Sequence, residues 1–111
     1  MYQYISEQSI YQYFGEDDPE MIKEMVEIIL TTNIKDLKQL QNLHQQGEFT
    51  TIKKRCHKAK PSMNYIGALK TRKIIEDIES GQEDFSELNT LLHIHLSNIE
   101  TELHQFLKSI N

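Results

Sequence analysis

Apolar residues recur at spacings of three and four through almost the whole chain, and no stretch alternates at the two-residue period of a strand. Four glycines and two prolines punctuate this pattern. A short first helix is predicted over about 6–14, ending near Gly15. A second starts at "EDDPEMIKEM", with Asp18 as N-cap, Pro19 at the first helical position and Glu20 at the positive end of the dipole. Its stripe is Ile22, Met25, Val26, Ile29, Leu37 and Leu40, interrupted near Asn33, and Gly47 closes it. A third helix begins at Phe49 or Thr50 and buries Phe49, Ile52, Cys56, Ala59 and Met63. "MNYIG" reads as a break, followed by a helix from Ala68 to Glu79 that buries Leu69, Ile75 and Ile78. After the turn "SGQED", a last helix over about Phe85–Leu107 carries Leu88, Leu92, Ile99, Leu103, Phe106 and Ile110 on one side. Short connections make neighbouring helices antiparallel. The predicted fold is all-α: an antiparallel up-down four-helix bundle with an additional short N-terminal helix.

Composition fits this picture. With 111 residues, 38% hydrophobic and 26% charged, the chain suits one domain with one core. No linker-like tract divides it, so residues 1–111 are expected to form a single standalone domain. No apolar run approaches a membrane span, and the start "MYQYISEQ" lacks the basic and apolar regions of a secretory signal. The single cysteine, Cys56, permits no intrachain disulfide. These features point to a cytoplasmic protein and give no reason to expect more than a monomer.

Charge changes the picture. The net charge is −5, yet residues 53–73 hold eight of the twelve basic residues and no acid. Such a run is ordinarily a solvated helix face, but it also attracts anions or an acidic partner. Within it, His57 lies about 100° round the helix from the apolar line. Its own line is Lys53, His57, Lys60 and Asn64. A structural histidine has apolar neighbours one turn away, whereas this one has lysines, which disfavour a charged ring. A neutral imidazole offers a nitrogen lone pair, and Lys60 could neutralise an anion carried on it. The arrangement suits a histidine that takes up a phosphoryl group.

The stretch "HKAKPSMNYIGA" resembles the signature of histidine phosphotransfer (HPt) domains, roughly H-K-x-K-G-S-x-x-x-[LIV]-G-[AL], at His57, Lys58, Lys60, Ser62, Ile66, Gly67 and Ala68. "YFGEDDPEMIKEMVEIIL" resembles the start of that family's second helix, and "IIEDIESG" the end of its fourth. The resemblance implies a four-helix bundle with an extra short helix. It also implies a phosphorelay shuttle for two-component signal transduction. His57 would accept a phosphoryl group from an aspartyl phosphate on a response-regulator receiver domain, or on that of a hybrid histidine kinase, and pass it to another receiver. Lys60 would stabilise the phosphate, Lys53, Lys54, Lys58, Pro61 and Asn64 would form the docking surface, and Gly67 would be the turn glycine. The chain would be a phosphocarrier rather than an enzyme, with no cofactor of its own. Mg²⁺ and the catalytic acids would belong to the receiver.

The pattern departs from the family at Pro61, where glycine or another small residue is usual. Proline lacks the N–H that would bond the His57 carbonyl, so a kink or local loosening is expected beneath the site. That departure keeps a second reading open, a docking module that binds a receiver or another acidic protein without being phosphorylated.

Other motifs carry less. His93 and His95 are two apart and point away from each other on a helix, and no histidine has a glutamate three residues before it, so no metal site is expected. Cys56 belongs to the core line, which makes a Cys56–His57 dyad a coincidence of text. One aromatic in the basic run and a net acidic chain serve nucleic acid poorly. Tyr2, Tyr4, Tyr11 and Tyr13 either cap one end of the bundle or extend a docking surface.

Overall fold

The computed structural model describes residues 2–110. Every regular element among them is helical: α1 (Glu7–Phe14), α2 (Pro19–Ile29), α3 (Lys35–Leu37), α4 (Leu40–Gln45), α5 (Phe49–Tyr65), α6 (Leu69–Ser80) and α7 (Phe85–Ser109). No described helix is long and apolar enough to cross a membrane. Helix starts follow local chemistry. Asp18 accepts from the Met21 N–H at 3.0 Å, with Pro19 in the first turn, and Asp84 caps α7 through the Ser86 N–H at 3.0 Å.

The interruption near Asn33 is a π-helical turn, Leu30–Ile34. Buried positions along this stretch are Ile22, Val26, Ile29, Ile34, Leu37 and Leu40. The step of five from Ile29 to Ile34 is the wide turn's contribution, and it keeps Ile34 on the core face. The expected single helix up to Gly47 is therefore several segments, broken again at Lys38 and Gln39. Arg55 reaches across from α5 to this second break, donating to the Asp36 carbonyl at 3.2 Å and to Gln39 Oε1 at 3.0 Å.

Helix α5 packs against α6, and α6 against α7, with the segment from the Leu30–Ile34 turn through α4 covering α5 and α4 touching α7. Fully buried Phe106, Ile75, Leu92, Leu96, Ile99 and Leu103 lie at the centre. Two expected core residues are not there: Phe49 is 56% and Leu69 62% exposed. Both open the first turn of a helix, where the chain has only begun to meet its neighbours. Thr71, Ile74, Ile75 and Ile78 are the buried face of α6. The expected break over "MNYIG" begins later, since α5 continues to Tyr65 and turns at 66–68. Pro61 does not interrupt α5 either.

Of the N-terminal tyrosines, Tyr2 and Tyr11 meet Phe106 edge-on at 6.5 and 5.8 Å, and Tyr4 meets His95 at 5.0 Å. The irregular lead-in before α1 is gripped by Glu102, whose carboxylate accepts from the backbone N–H groups of Gln3, Tyr4 and Ile5 at 2.9–3.1 Å. Tyr13 stays exposed and packs on Tyr65 at 5.0 Å.

Candidate functional site

His57 stands in the middle of α5 with 77% of its side chain exposed. Cys56 behind it is fully buried, and burial, helped by the nearby Glu79 charge, pushes its thiol up to about 12. That thiol remains protonated and takes no part in a dyad with His57.

The sequence places only cations around His57. The structure adds an acid. Glu79, from the last turn of α6, lies with Oε2 3.5 Å from His57 Nδ1 and Oε1 2.6 Å from Lys60 Nζ. Lys60 and Glu79 are each largely covered, at 22% and 23% exposure, so this pair is better shielded from solvent than a surface bridge. The expectation of a free Lys60 and an all-cationic setting is thus corrected: the imidazole and the lysine share one carboxylate. The reason is the hairpin. His57 and Glu79 are each eleven residues from Ala68, and two antiparallel helices leaving a turn at equal rise bring such positions opposite each other. Counting outward from Ala68, beside the predicted turn glycine, was the signal available in the sequence.

The remaining predicted docking residues divide. Lys53, Lys54, Lys58 and Pro61 are exposed, and Asn64 is half-buried further along the same helix. Ser62, part of the matched motif, faces inward and donates to Asn33 Oδ1 at 2.7 Å. It ties the π-helical turn to α5 directly behind Pro61. Half of the basic run is internally committed: Arg55 as above, Lys60 to Glu79, Arg72 to Glu76 at 3.6 Å and Lys73 to Asp77 at 3.0 Å. Lys53, Lys54, Lys58 and Lys70 have no ion pair among the described residues, and the first three flank His57 on its own helix. A field that attracts anions persists there, weaker than the raw count implies.

Gly67 sits in the turn between α5 and α6 with φ +73°. The Ser6 N–H donates to the adjoining Ile66 carbonyl at 2.8 Å, which seats the N-terminal segment against this turn.

His95 is half-buried, with Nδ1 2.9 Å from Thr71 Oγ1 and the Tyr4 ring edge-on above it. Burial, and secondarily the Lys70 charge, hold its pKa below the usual histidine value. The unfolded chain therefore binds a proton here before the folded chain does, and stability falls as pH drops below about 6.5 toward the folded pKa. Thermal unfolding at pH 7.5 and 5.5 is expected to show a smaller acid-induced loss in His95→Gln than in the native protein. An unchanged loss would remove His95 as a source of acid sensitivity.

Among the described residues no three His, Cys, Asp or Glu side chains gather as a metal-binding group. Comparison of the chain with family models, curated proteins and solved structures finds no match.

Proposed function

We propose that this chain is a histidine phosphotransfer protein, with His57 as phosphoacceptor, and that α2–α4, α5, α6 and α7 form the up-down four-helix bundle of that class with α1 as its additional short helix. The observation that carries the reading is one exposed imidazole whose Nδ1 faces Glu79 while the lysine one turn on shares the same carboxylate. A carboxylate beside Nδ1 favours the tautomer with its proton there, which leaves the lone pair on the outward Nε2.

In the transfer step Nε2 attacks the phosphorus of a receiver's aspartyl phosphate. A P–N bond forms as the P–O bond to the aspartate breaks, and the carboxylate leaves with the electron pair. The ring becomes cationic in that step, and Glu79 stabilises the charge. Lys60 Nζ lies 2.6 Å from Glu79 Oε1 as an ion pair, and its ammonium keeps N–H groups to offer the phosphoryl oxygens. Lys53, Lys54 and Lys58 steer the acidic mouth of the receiver onto α5. Mg²⁺ and the acids that hold it belong to the receiver in this reading, and the chain itself is a carrier rather than an enzyme.

A docking-only reading draws on Pro61 and on the Lys60–Glu79 pair, which already occupies the phosphate-binding lysine. Intact-mass analysis after mixing with receiver domains charged by acetyl phosphate separates the two. Native protein is expected to gain one acid-labile, base-stable phosphoryl group, and His57→Gln none. Receivers that bind without any transfer to the native chain would establish the docking module instead.

A further inference from the structure

Where α4 leads into α5 and α6 into α7, a half-open cleft of about 390 Å³ is lined chiefly by His44, Phe49, Ile52, Lys53, Ile78 and Phe85. That volume lies within the roughly 300–1,000 Å³ typical of small-molecule sites. Its floor is apolar, since Ile52 and Ile78 are both buried core residues. Aromatic faces form its wall. The His44 imidazole lies flat on Phe85 with centroids 4.1 Å apart and planes 1° from parallel, and Phe49 meets His44 edge-on at 5.4 Å. Phe49 nonetheless leaves more than half its surface in water. A large ring is thus held over an apolar floor with nothing covering it.

Charge at the rim is asymmetric. Lys53 stands one helical turn after Phe49, exposed, beside Lys54, and has no ion pair among the described residues. The one acid of the lining, Glu83, belongs to the exposed turn before α7. The helical side of the cleft therefore presents a cation and the loop side an acid, so an anionic group is drawn to the Lys53 side.

We propose that this cleft binds a small planar aromatic carboxylate. The ring enters against Phe49 and over Ile52 and Ile78, and the carboxylate meets Lys53. A flat ring fits because three aromatic side chains already set parallel and perpendicular surfaces there. An acid fits because Lys53 is the uncommitted charge nearest the apolar floor on α5. The site does not rest on the phosphotransfer reading, although Lys53 also belongs to the docking surface proposed there: His57 lies one turn beyond Lys53 on α5 and lines no part of the cleft.

The test is an amide NMR titration of the full chain with indole-3-acetate, repeated with indole-3-acetamide. Saturable shifts are expected at His44, Phe49, Ile52, Lys53, Ile78 and Phe85, with Kd about 1 mM or tighter for a ligand of this size. The neutral amide and the Lys53→Gln variant are each expected to bind about tenfold more weakly, as loss of one charge-assisted contact implies. Lys53 is exposed and its replacement leaves the core intact, so the comparison holds even if Phe49→Ser, expected to abolish binding, proves less stable. Absence of saturable shifts at these residues overturns the site. Equal binding of acid and amide overturns the role of Lys53 and with it the ligand class.

Discussion

Gly67→Ala is expected to destabilise the protein by about 2–3 kcal/mol, combining left-handed backbone strain with a steric clash. For a chain of this length that lowers Tm by roughly 10 °C. Two causes act at once. Gly67 has φ +73°, where an L side chain is strained. A Cβ there would also stand 2.5 Å from Ser6 Cβ and 2.9 Å from Ser9 Oγ. The Ser9 hydroxyl can rotate away, but Ser6 does not yield freely. The Ser6 N–H is bonded to the Ile66 carbonyl, its hydroxyl accepts from the Ser9 N–H at 3.2 Å, and Glu102 grips the three preceding amides. Relief would move α1 and its lead-in off the α5–α6 turn. Gly47 supplies the control, because it has a nearly identical φ of +74° and nothing within 4 Å of an added Cβ. Gly47→Ala is expected to cost only the backbone share, about 1 kcal/mol. Chemical denaturation of both variants decides the matter: equal losses would mean that the contact with Ser6 contributes nothing.

The contrast between these glycines also shows what the sequence could and could not say. Both were legible as turn residues, because a glycine between two helical patterns is a local signal. The crowding at Gly67 was not, since Ser6 approaches from a distant part of the chain. The same division runs through the molecule. Asp18, Pro19, Phe49 and Phe85 mark helix starts that depend on nearby backbone alone, and they stand where the pattern placed them. The π-helical turn was visible only as a faltering stripe near Asn33, because its extra residue is accommodated by packing against Ser62. Leu69 and Phe49 fit the period and are exposed, since a period states which residues share a face and not where the neighbouring helix ends.

At the candidate site the exposed His57 and its flanking lysines were legible from spacing on one helix. Glu79 was not, because its role arises from the register between two helices. The acid also changes how the basic run should be read. A segment of +8 drawn from the sequence becomes a surface with four committed cations and a carboxylate set among them. What remains around His57 is a modest positive rim with a built-in counter-charge. If His57 is the proposed phosphoacceptor, that suits reversible transfer better than an unopposed cluster, because a phosphoryl group held too tightly would not leave again.

On the proposed phosphotransfer reading, Glu79→Leu is therefore expected to slow phosphoryl uptake by His57 about 10–100-fold, the scale of loss when a group that orients a functional histidine is removed. The leucine removes the partner of Nδ1 and the charge that favours the cationic ring in the transition state. It also releases Lys60 from its ion pair. Glu79→Gln separates these effects. The amide keeps a polar group of the same shape beside Nδ1 while the charge is lost, and the expected slowing is only several-fold. Single-turnover uptake from a charged receiver measures both variants, with circular dichroism to verify folding. The half-life of the phosphorylated form adds a second, independent reading. With Lys60 free of its carboxylate, the ammonium binds the phosphoryl oxygens more fully, and the phosphohistidine in either variant is expected to outlast that of the native protein. Uptake at the native rate in both variants would reduce Glu79 to a structural partner of Lys60. Slowing in Glu79→Leu with an unchanged half-life would place its effect in orienting the ring, and would show that Lys60 already serves the phosphoryl group without leaving the carboxylate.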